Sequence, residues 1–261
     1  MFTDIRKQKQ PSVLRDKKQH ATIPVLFNLA GWSAVDSLGF SVGELWQLNA
    51  ALEPLADQLK PIFSFLQPDP YDADATRFRA FATGVLQEVG DDLVIGLSES
   101  MIHSQRENTE FPGKARRLPA LANPDQDNKV LLDYVAAVYM SAKPHNLNAN
   151  YGIAWKAHLI RLKPRAEYHA KATPPIPHKD DACWVHVAVL DLENIKGGEN
   201  SIYNNSKSHL VSFTLAPMQF FLVNDRAVFH HVDTVMLDNP TLPGYRDVVI
   251  IEFSILVSAT Q

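Results

Sequence analysis

An α+β chain with a mainly β core of jelly-roll type is the fold class that the sequence predicts, and three observations predict it. Apolar residues at helical spacing fall between Leu45 and Met140. From Tyr151 onward they fall instead in short runs rich in Val, Ile and Phe, with Gly, Pro, Asn and Asp between them. Such runs, separated by turn signals, mark a β-sandwich or jelly roll. No linker divides the 261 residues, a length that one core can serve, so residues 1–261 read as a single domain.

Residues 1–20 carry Lys7, Lys9, Arg15, Lys17 and Lys18 and read as a flexible, solvated N-terminus. Ile23 to Leu29 is expected to be a strand. Ser41-Val42-Gly43-Glu44 has the spacing of a capping box, Ser at the cap and Glu three on. Leu45, Leu48, Leu52, Leu55 and Leu59 follow at helical spacing, with Pro54 and Pro61 dividing the segment. Residues 67–76 read as a loop, and Phe78–Ala82 and Asp92–Leu97 as strands. Residues 104–128 read as a long polar excursion of the kind that can close over a site. Lys129–Met140 is a second helix. The β texture then runs through Ile153–Leu162, Cys183–Leu192, Ser201–Tyr203, Val211–Leu215, Met218–Val223, Ala227–Val232 and Asp247–Val257. Residues 150–257 thus form the β core.

Two histidines and a carboxylate stand out within it. Thr173-Pro174-Pro175-Ile176-Pro177 holds the chain extended, because a residue before Pro avoids the helical region. His178 and Asp180 then fall two apart, on one face of an incipient strand. Met218–Val223, the turn pair Asn224-Asp225 and Ala227–Val232 read as a hairpin whose second strand carries His230 and His231. One of these two adjacent residues can face a metal, and spacing does not choose between them. Two imidazoles and a carboxylate form the facial triad of non-haem Fe(II) oxygenases, which leaves positions open for a co-substrate and dioxygen.

Arg246-Asp247 opens the apolar run Val248–Phe253. Arg246 is either in an ordinary salt bridge, with Asp247 for example, or a bidentate clamp on a carboxylate of the co-substrate, a task that suits the planar guanidinium. Gly197-Gly198-Glu199-Asn200 is first of all a turn, from which Glu199 can face a substrate. Arg161, Arg77 and Arg79 are candidates for a substrate carboxylate, Arg161 first. His158, His169, His186 and His209 are expected to be structural or surface residues.

His178-Lys179-Asp180-Asp181, Gly197-Gly198-Glu199-Asn200, Val228-Phe229-His230 and Arg246-Asp247, in this order, resemble the 2-oxoglutarate/Fe(II)-dependent dioxygenases of the bacterial free-amino-acid hydroxylase branch. The resemblance covers roughly residues 150 to 257 and is faint before that, at Arg77-Phe78-Arg79, and also at His158–Arg161. It implies a double-stranded β-helix (the jelly-roll, cupin-like form) with N-terminal helices packed outside one sheet. It implies His178, Asp180 and His230, rather than His231, as ligands of Fe(II), and Arg246 as the partner of 2-oxoglutarate. The activity implied is hydroxylation of an aliphatic carbon of a free L-amino acid or close derivative, with dioxygen consumed and succinate and CO2 released.

A net charge of -4 and a pI near 6.2 argue against a nucleic-acid partner. The one cysteine, Cys183, allows no internal disulfide and suits a reducing, cytoplasmic setting. No long apolar run points to a membrane. A small-molecule substrate is therefore expected, and a homo-oligomer is left open. Two other readings stand beside this one: a cupin-like metalloenzyme that uses no 2-oxoglutarate, and a non-catalytic β-sandwich binding protein.

Overall fold

The computed structural model describes residues 32–104, 113–144, 147, 151–172, 174 and 176–256. The expected flexible N-terminus, the strand at Ile23–Leu29 and part of the excursion at 104–128 lie outside these residues. The elements are α1 (Trp32–Leu38), β1 (Phe40–Glu44), α2 (Leu45–Leu48), α3 (Leu52–Leu59), a 3-10 helix (Lys60–Phe65), β2 (Gln67–Pro68), β3 (Arg77–Val89), β4 (Asp92–Leu97), β5 (Ile102–His103), β6 (Arg116–Arg117) and α4 (Pro124–Ala142). They continue as β7 (Gly152–Leu162), β8 (Trp184–Glu193), β9 (Ile195–Gly197), β10 (Asn200–Asn204), β11 (His209–Phe213), β12 (Gln219–Asn224), β13 (Val228–Val232), β14 (Val235–Leu237) and β15 (Tyr245–Leu256).

The major sheet runs β1-β12-β8-β15-β7-β3-β2, with β4 also paired to β3. A smaller sheet, β11-β10-β13, faces it, and β14-β9 and β5-β6 are two-stranded ribbons. Strand parity assigns each side chain to a layer. Trp155, Ala157 and Leu159 of β7, Trp184, Ala188 and Leu190 of β8, and Val249, Ile251 and Phe253 of β15 pack with α3 and α4. The alternate residues Val185, Val187 and Val189, with Phe221, Val223 and Val248, meet Ile202, Val211, Phe213 and Val228 of the smaller sheet. Near-continuous apolar strands such as β8 are read this way because both faces of the sheet are covered. Trp155 is fully buried in the helix-side layer; truncating so large an aromatic costs about 3–5 kcal/mol. The adjoining β3–β4 ladder comes so close that a Cβ on Gly84 would stand 1.8 Å from the Gly96 carbonyl oxygen and 2.7 Å from Trp155 Cζ2.

Four local expectations are corrected. Ser41 is not a helix cap: it lies in β1, where Phe40 and Val42 bury against the smaller sheet and pairing with β12 outweighs the local capping signal. Glu44 caps α2 instead, and Gln47 Oε1 accepts its N–H at 2.8 Å. The second long helix begins at Pro124, earlier than Lys129, with Pro in its first turn, where a missing N–H costs nothing. Residues 67–76 are not wholly loop, since Gln67 and Pro68 pair with Arg79 and Phe78. Finally, β12 and β13 do not form a hairpin. β12 pairs with β1 and β8, whereas β13 pairs with β10, so the turn at Asn224-Asp225 carries the chain from one sheet to the other.

Candidate active site

Between the two sheets lies a cavity whose lining includes His178, Asp180, His230 and Arg246. His178 and His230 are held by direct backbone pairing rather than by a continuous strand. Each N–H donates to the other residue's carbonyl, at 3.0 and 3.1 Å. The rings lie 4.6 Å apart, centroid to centroid. Asp180 completes the group, with Oδ2 3.1 Å from His230 Nε2 and Oδ1 3.7 Å from His178 Nε2. Parity holds across this segment, because Lys179 turns away to the Asn205 side chain and the Arg226 carbonyl at 2.9 and 2.8 Å. It holds in β13 too. Val228, His230 and Val232 are buried, while His231 is half-buried and its Nε2 lies 3.2 Å from Asp233 Oδ1.

The three donors suit a divalent metal. All are buried, and their ligand atoms lie within 4.8 Å of one another. His178 Nδ1 is 3.2 Å from the Ile176 carbonyl, to which it donates, which leaves Nε2 as the free donor atom. Burial, with His230 alongside, pushes His178 down to about 4, so the ring is a neutral ligand near neutral pH. Burial works to raise the Asp180 carboxyl, but His230 and His178 outweigh it and hold it well below its usual range. The same pairing outweighs burial at His230 and raises its pKa.

Asp225 supports this group and was read from the sequence only as a turn residue. It is 2% exposed. Its carboxylate accepts the N–H groups of Asp180, at 3.0 and 3.1 Å, and of Ala182, at 3.0 Å. Asp181, between them, adopts φ 60°, so the carboxylate holds a tight left-handed turn in place. Asp225 Oδ1 also lies 4.0 Å from His230 Nδ1. Burial and the nearby Asp180 raise Asp225 to about 6.

Arg246 is 4% exposed, and its Nη2 has no hydrogen-bond partner. The salt-bridge reading with Asp247 is thereby corrected, because successive residues of β15 face opposite layers. Asp247 lies on the helix side and pairs with Arg161. Gly198, at φ +68°, packs against the guanidinium of Arg246: an added Cβ would come within 3.4 Å of Nη1 and 3.5 Å of Cζ. The Gly-Gly turn is thus a requirement of close approach as well as of chain reversal.

Arg161 is not at the cavity. Its Nε and Nη2 form a two-point pair with Asp247 at 2.7 and 2.6 Å, and its guanidinium lies 4.5 Å from the Tyr245 ring centroid. It follows Ile160 and precedes Leu162, both cavity residues, so β parity sends it to the other face. Glu199 is not at the cavity either; its carbonyl accepts the Asp233 N–H at 2.9 Å within the turn. Arg77 and Arg79 do line the cavity, and share Asp69 at 2.7 and 3.1 Å. His158, expected to be structural or surface, lines it too, as do His103, Arg116 and Glu252. One sequence signal for Glu252 was available. Arg246, Val248, Ile250 and Glu252 alternate along β15, and a carboxylate in so apolar a strand needs polar company. His103 and Arg116 sit on two-residue strands with no periodicity to read.

The 2OG-Fe dioxygenase family matches residues 60–252, most of the chain, and the protein belongs to that family. Its members are oxidoreductases that use Fe(II), 2-oxoglutarate and dioxygen. Among relatives, the chain is 25% identical over 195 residues to the L-isoleucine-4-hydroxylase of Bacillus thuringiensis, covering 72% of this chain and 78% of that protein. Among solved structures it is similar to a bsmA homolog from Methylobium petroleophilum PM1, with TM-score 0.68, 21% identity, and 86% and 91% of the two chains covered. IDO from Bacillus thuringiensis is similar at TM-score 0.65 and 18% identity, covering 86% and 97%. These likenesses identify the two facing sheets as a double-stranded β-helix, as expected.

Proposed function

We propose that this dioxygenase hydroxylates an aliphatic carbon of a free L-amino acid or close derivative, with Fe(II) held by His178, Asp180 and His230 and the far carboxylate of 2-oxoglutarate on Arg246. The observation that carries the ligand assignment is the content of one cavity lining: three buried ligand-type side chains grouped together, and a buried guanidinium with an unpartnered Nη2. The iron would supply the site at which dioxygen, the oxidant, is reduced by two electrons from 2-oxoglutarate, released as succinate and CO2, and two from the substrate C–H bond, which gains the oxygen. The protein's own work is to fix geometry. Asp225 holds the turn that carries Asp180, the His178–His230 bridge sets the two imidazoles, and Gly198 lets the chain close on Arg246. Burial brings the Arg246 pKa to about 10, still charged at neutral pH and poised for an anion. Apolar walls from Ile160, Leu162, Val187, Val248 and Ile250 keep water from the reacting carbon.

Two things support an amino-acid substrate: the similarity to an amino-acid hydroxylase, and the cationic side chains of Arg77, Arg79 and Arg116 in the cavity lining. Residues 32–256 act in this reading as one catalytic domain, since a single apolar layer joins Val35 to Phe253. The test is 2-oxoglutarate-dependent succinate release with Fe(II) and ascorbate, screened over the twenty amino acids, with mass spectrometry for a product heavier by one oxygen. Stimulation by peptides alone, or by no amino acid, would defeat the substrate class. Absence of 2-oxoglutarate turnover in every condition would defeat the co-substrate assignment.

A further inference from the structure

His103, His158 and Glu252 form a second buried group with metal-ligand side chains, their ligand-type atoms also within 4.8 Å of one another. It stands beside the first: Asp180 interacts electrostatically with His158, Glu252 and Lys156. The hydrogen bonds argue against a second metal. Arg79 Nη2 donates to His158 Nδ1 at 2.8 Å, so in the neutral ring Nε2 carries the proton, which it gives to Glu252 Oε1 at 3.0 Å. Lys156 Nζ donates to Glu252 Oε2 at 2.9 Å. Both nitrogens of His158 and both oxygens of Glu252 are engaged, and two cations flank the group. A ligating imidazole gives its remote N–H to an acceptor, whereas the remote partner here is a donor.

Beside this group, Arg79 Nε and His103 Nδ1 are buried and have no hydrogen-bond partner. Arg79 and Arg77 share the single carboxylate of Asp69, so a positive charge remains to be balanced there. His103 is 2% exposed and packs edge-on to His158, with ring centroids 4.8 Å apart, and against Phe81 at 5.5 Å. Resting on the amino-acid reading above, we infer that Arg79 and His103 read the two halves of the substrate's head group. Arg79 takes the carboxylate through Nε–H, and His103 Nδ1 accepts an N–H of the α-ammonium. Burial keeps the His103 ring neutral, its pKa pushed down to about 3, so it acts as an acceptor rather than a repelling cation. Glu252 is not the ammonium's partner, because Lys156 and His158 occupy it. Its part is to fix His158, and through it Arg79.

The experiment compares each amino acid that stimulates succinate release in the wild type with the corresponding desamino acid, in wild type, His103→Phe and His103→Asn. The wild type should show a KM lower by about tenfold or more for the amino acid, the scale of one hydrogen bond to a charged group. His103→Phe should collapse that ratio toward one, and His103→Asn, which keeps an acceptor, should restore part of it. Metal titration with Co(II) should give one equivalent per chain in both wild type and His103→Phe. Equal losses for both acids in His103→Phe, or an unchanged ratio, would overturn the ammonium assignment. A second Co(II) equivalent lost in His103→Phe would make the group a metal site. Should His103→Phe fail to fold, the His103→Asn ratio and the wild-type metal count decide. Failure of every amino acid to stimulate the wild type takes down the substrate reading, and this inference with it.

Discussion

The two buried clusters of the cavity are built from nearly the same residue types and differ in what surrounds them. In the first, His178 is supported from behind by an acceptor, the Ile176 carbonyl at Nδ1, while His230 Nδ1 makes no hydrogen bond and faces the Asp225 carboxylate at 4.0 Å. In the second, His158 and Glu252 are approached by donors, Arg79 and Lys156. Acceptors behind an imidazole direct its lone pair forward, whereas donors consume that lone pair. Burial acts on both clusters alike, so the hydrogen-bond partners decide which can hold a cation and which an anionic ligand. Residue type and spacing by themselves would have allowed two metal sites.

The largest effect is expected at the first cluster. His178→Ala, Asp180→Ala and His230→Ala should each abolish turnover and metal binding, while His231→Ala keeps most of both. Metal analysis beside the succinate assay checks this; loss of metal in His231→Ala but not in His230→Ala would reverse the assignment. A fold retained on circular dichroism is expected for all four, since the apolar layers do not pass through the metal group.

Next comes Arg246→Ala, which should raise the KM for 2-oxoglutarate roughly ten- to hundredfold, for about 1.5–3 kcal/mol of charge-assisted pairing. Arg246→Lys should recover part of it, lacking the planar fork. An unchanged co-substrate KM would show that this guanidinium serves another purpose. Asp225→Ala sharpens the contrast from behind the metal. Loss of the turn's acceptor should weaken metal affinity by about 10–100-fold with all three ligands still present, measured by competition with a chelator.

The smallest effect on catalysis belongs to Arg161→Ala, which should leave substrate hydroxylation intact and destabilise the fold by about 1–3 kcal/mol through an unpaired buried Asp247. The pH dependence has a definite sign. Burial raises Asp247 to about 6, above its model-peptide range near 4, with Arg161 opposing. A carboxyl whose folded pKa is raised binds protons more tightly in the native state, so its contribution falls as pH rises from about 4 to about 6. Removing Arg161 extends that fall to higher pH, and urea unfolding at pH 5 and pH 8 should show the larger deficit at pH 8. Normal stability with lost hydroxylation would return Arg161 to the substrate.

The sequence by itself determined the β core, the strand parities and the residues proposed to hold the metal. Alternation is a local property: it puts His178 and Asp180 on one face and sets His230 opposite His231 and Arg246 opposite Asp247, while the choice of His230 over His231 came from the family resemblance. The Gly-Gly turn was legible too, though its contact with Arg246 was not. Tertiary structure alone decided the rest, because the deciding interactions join residues far apart in the chain. Arg161 was placed first for the substrate without knowing that Asp247, across the β7–β15 ladder, would claim it. Asp225 looked like half of a hairpin turn until the chain was seen to change sheets there. His103, from a two-residue strand, meets His158 and Glu252 through packing of separate layers, and no periodicity announces such a meeting.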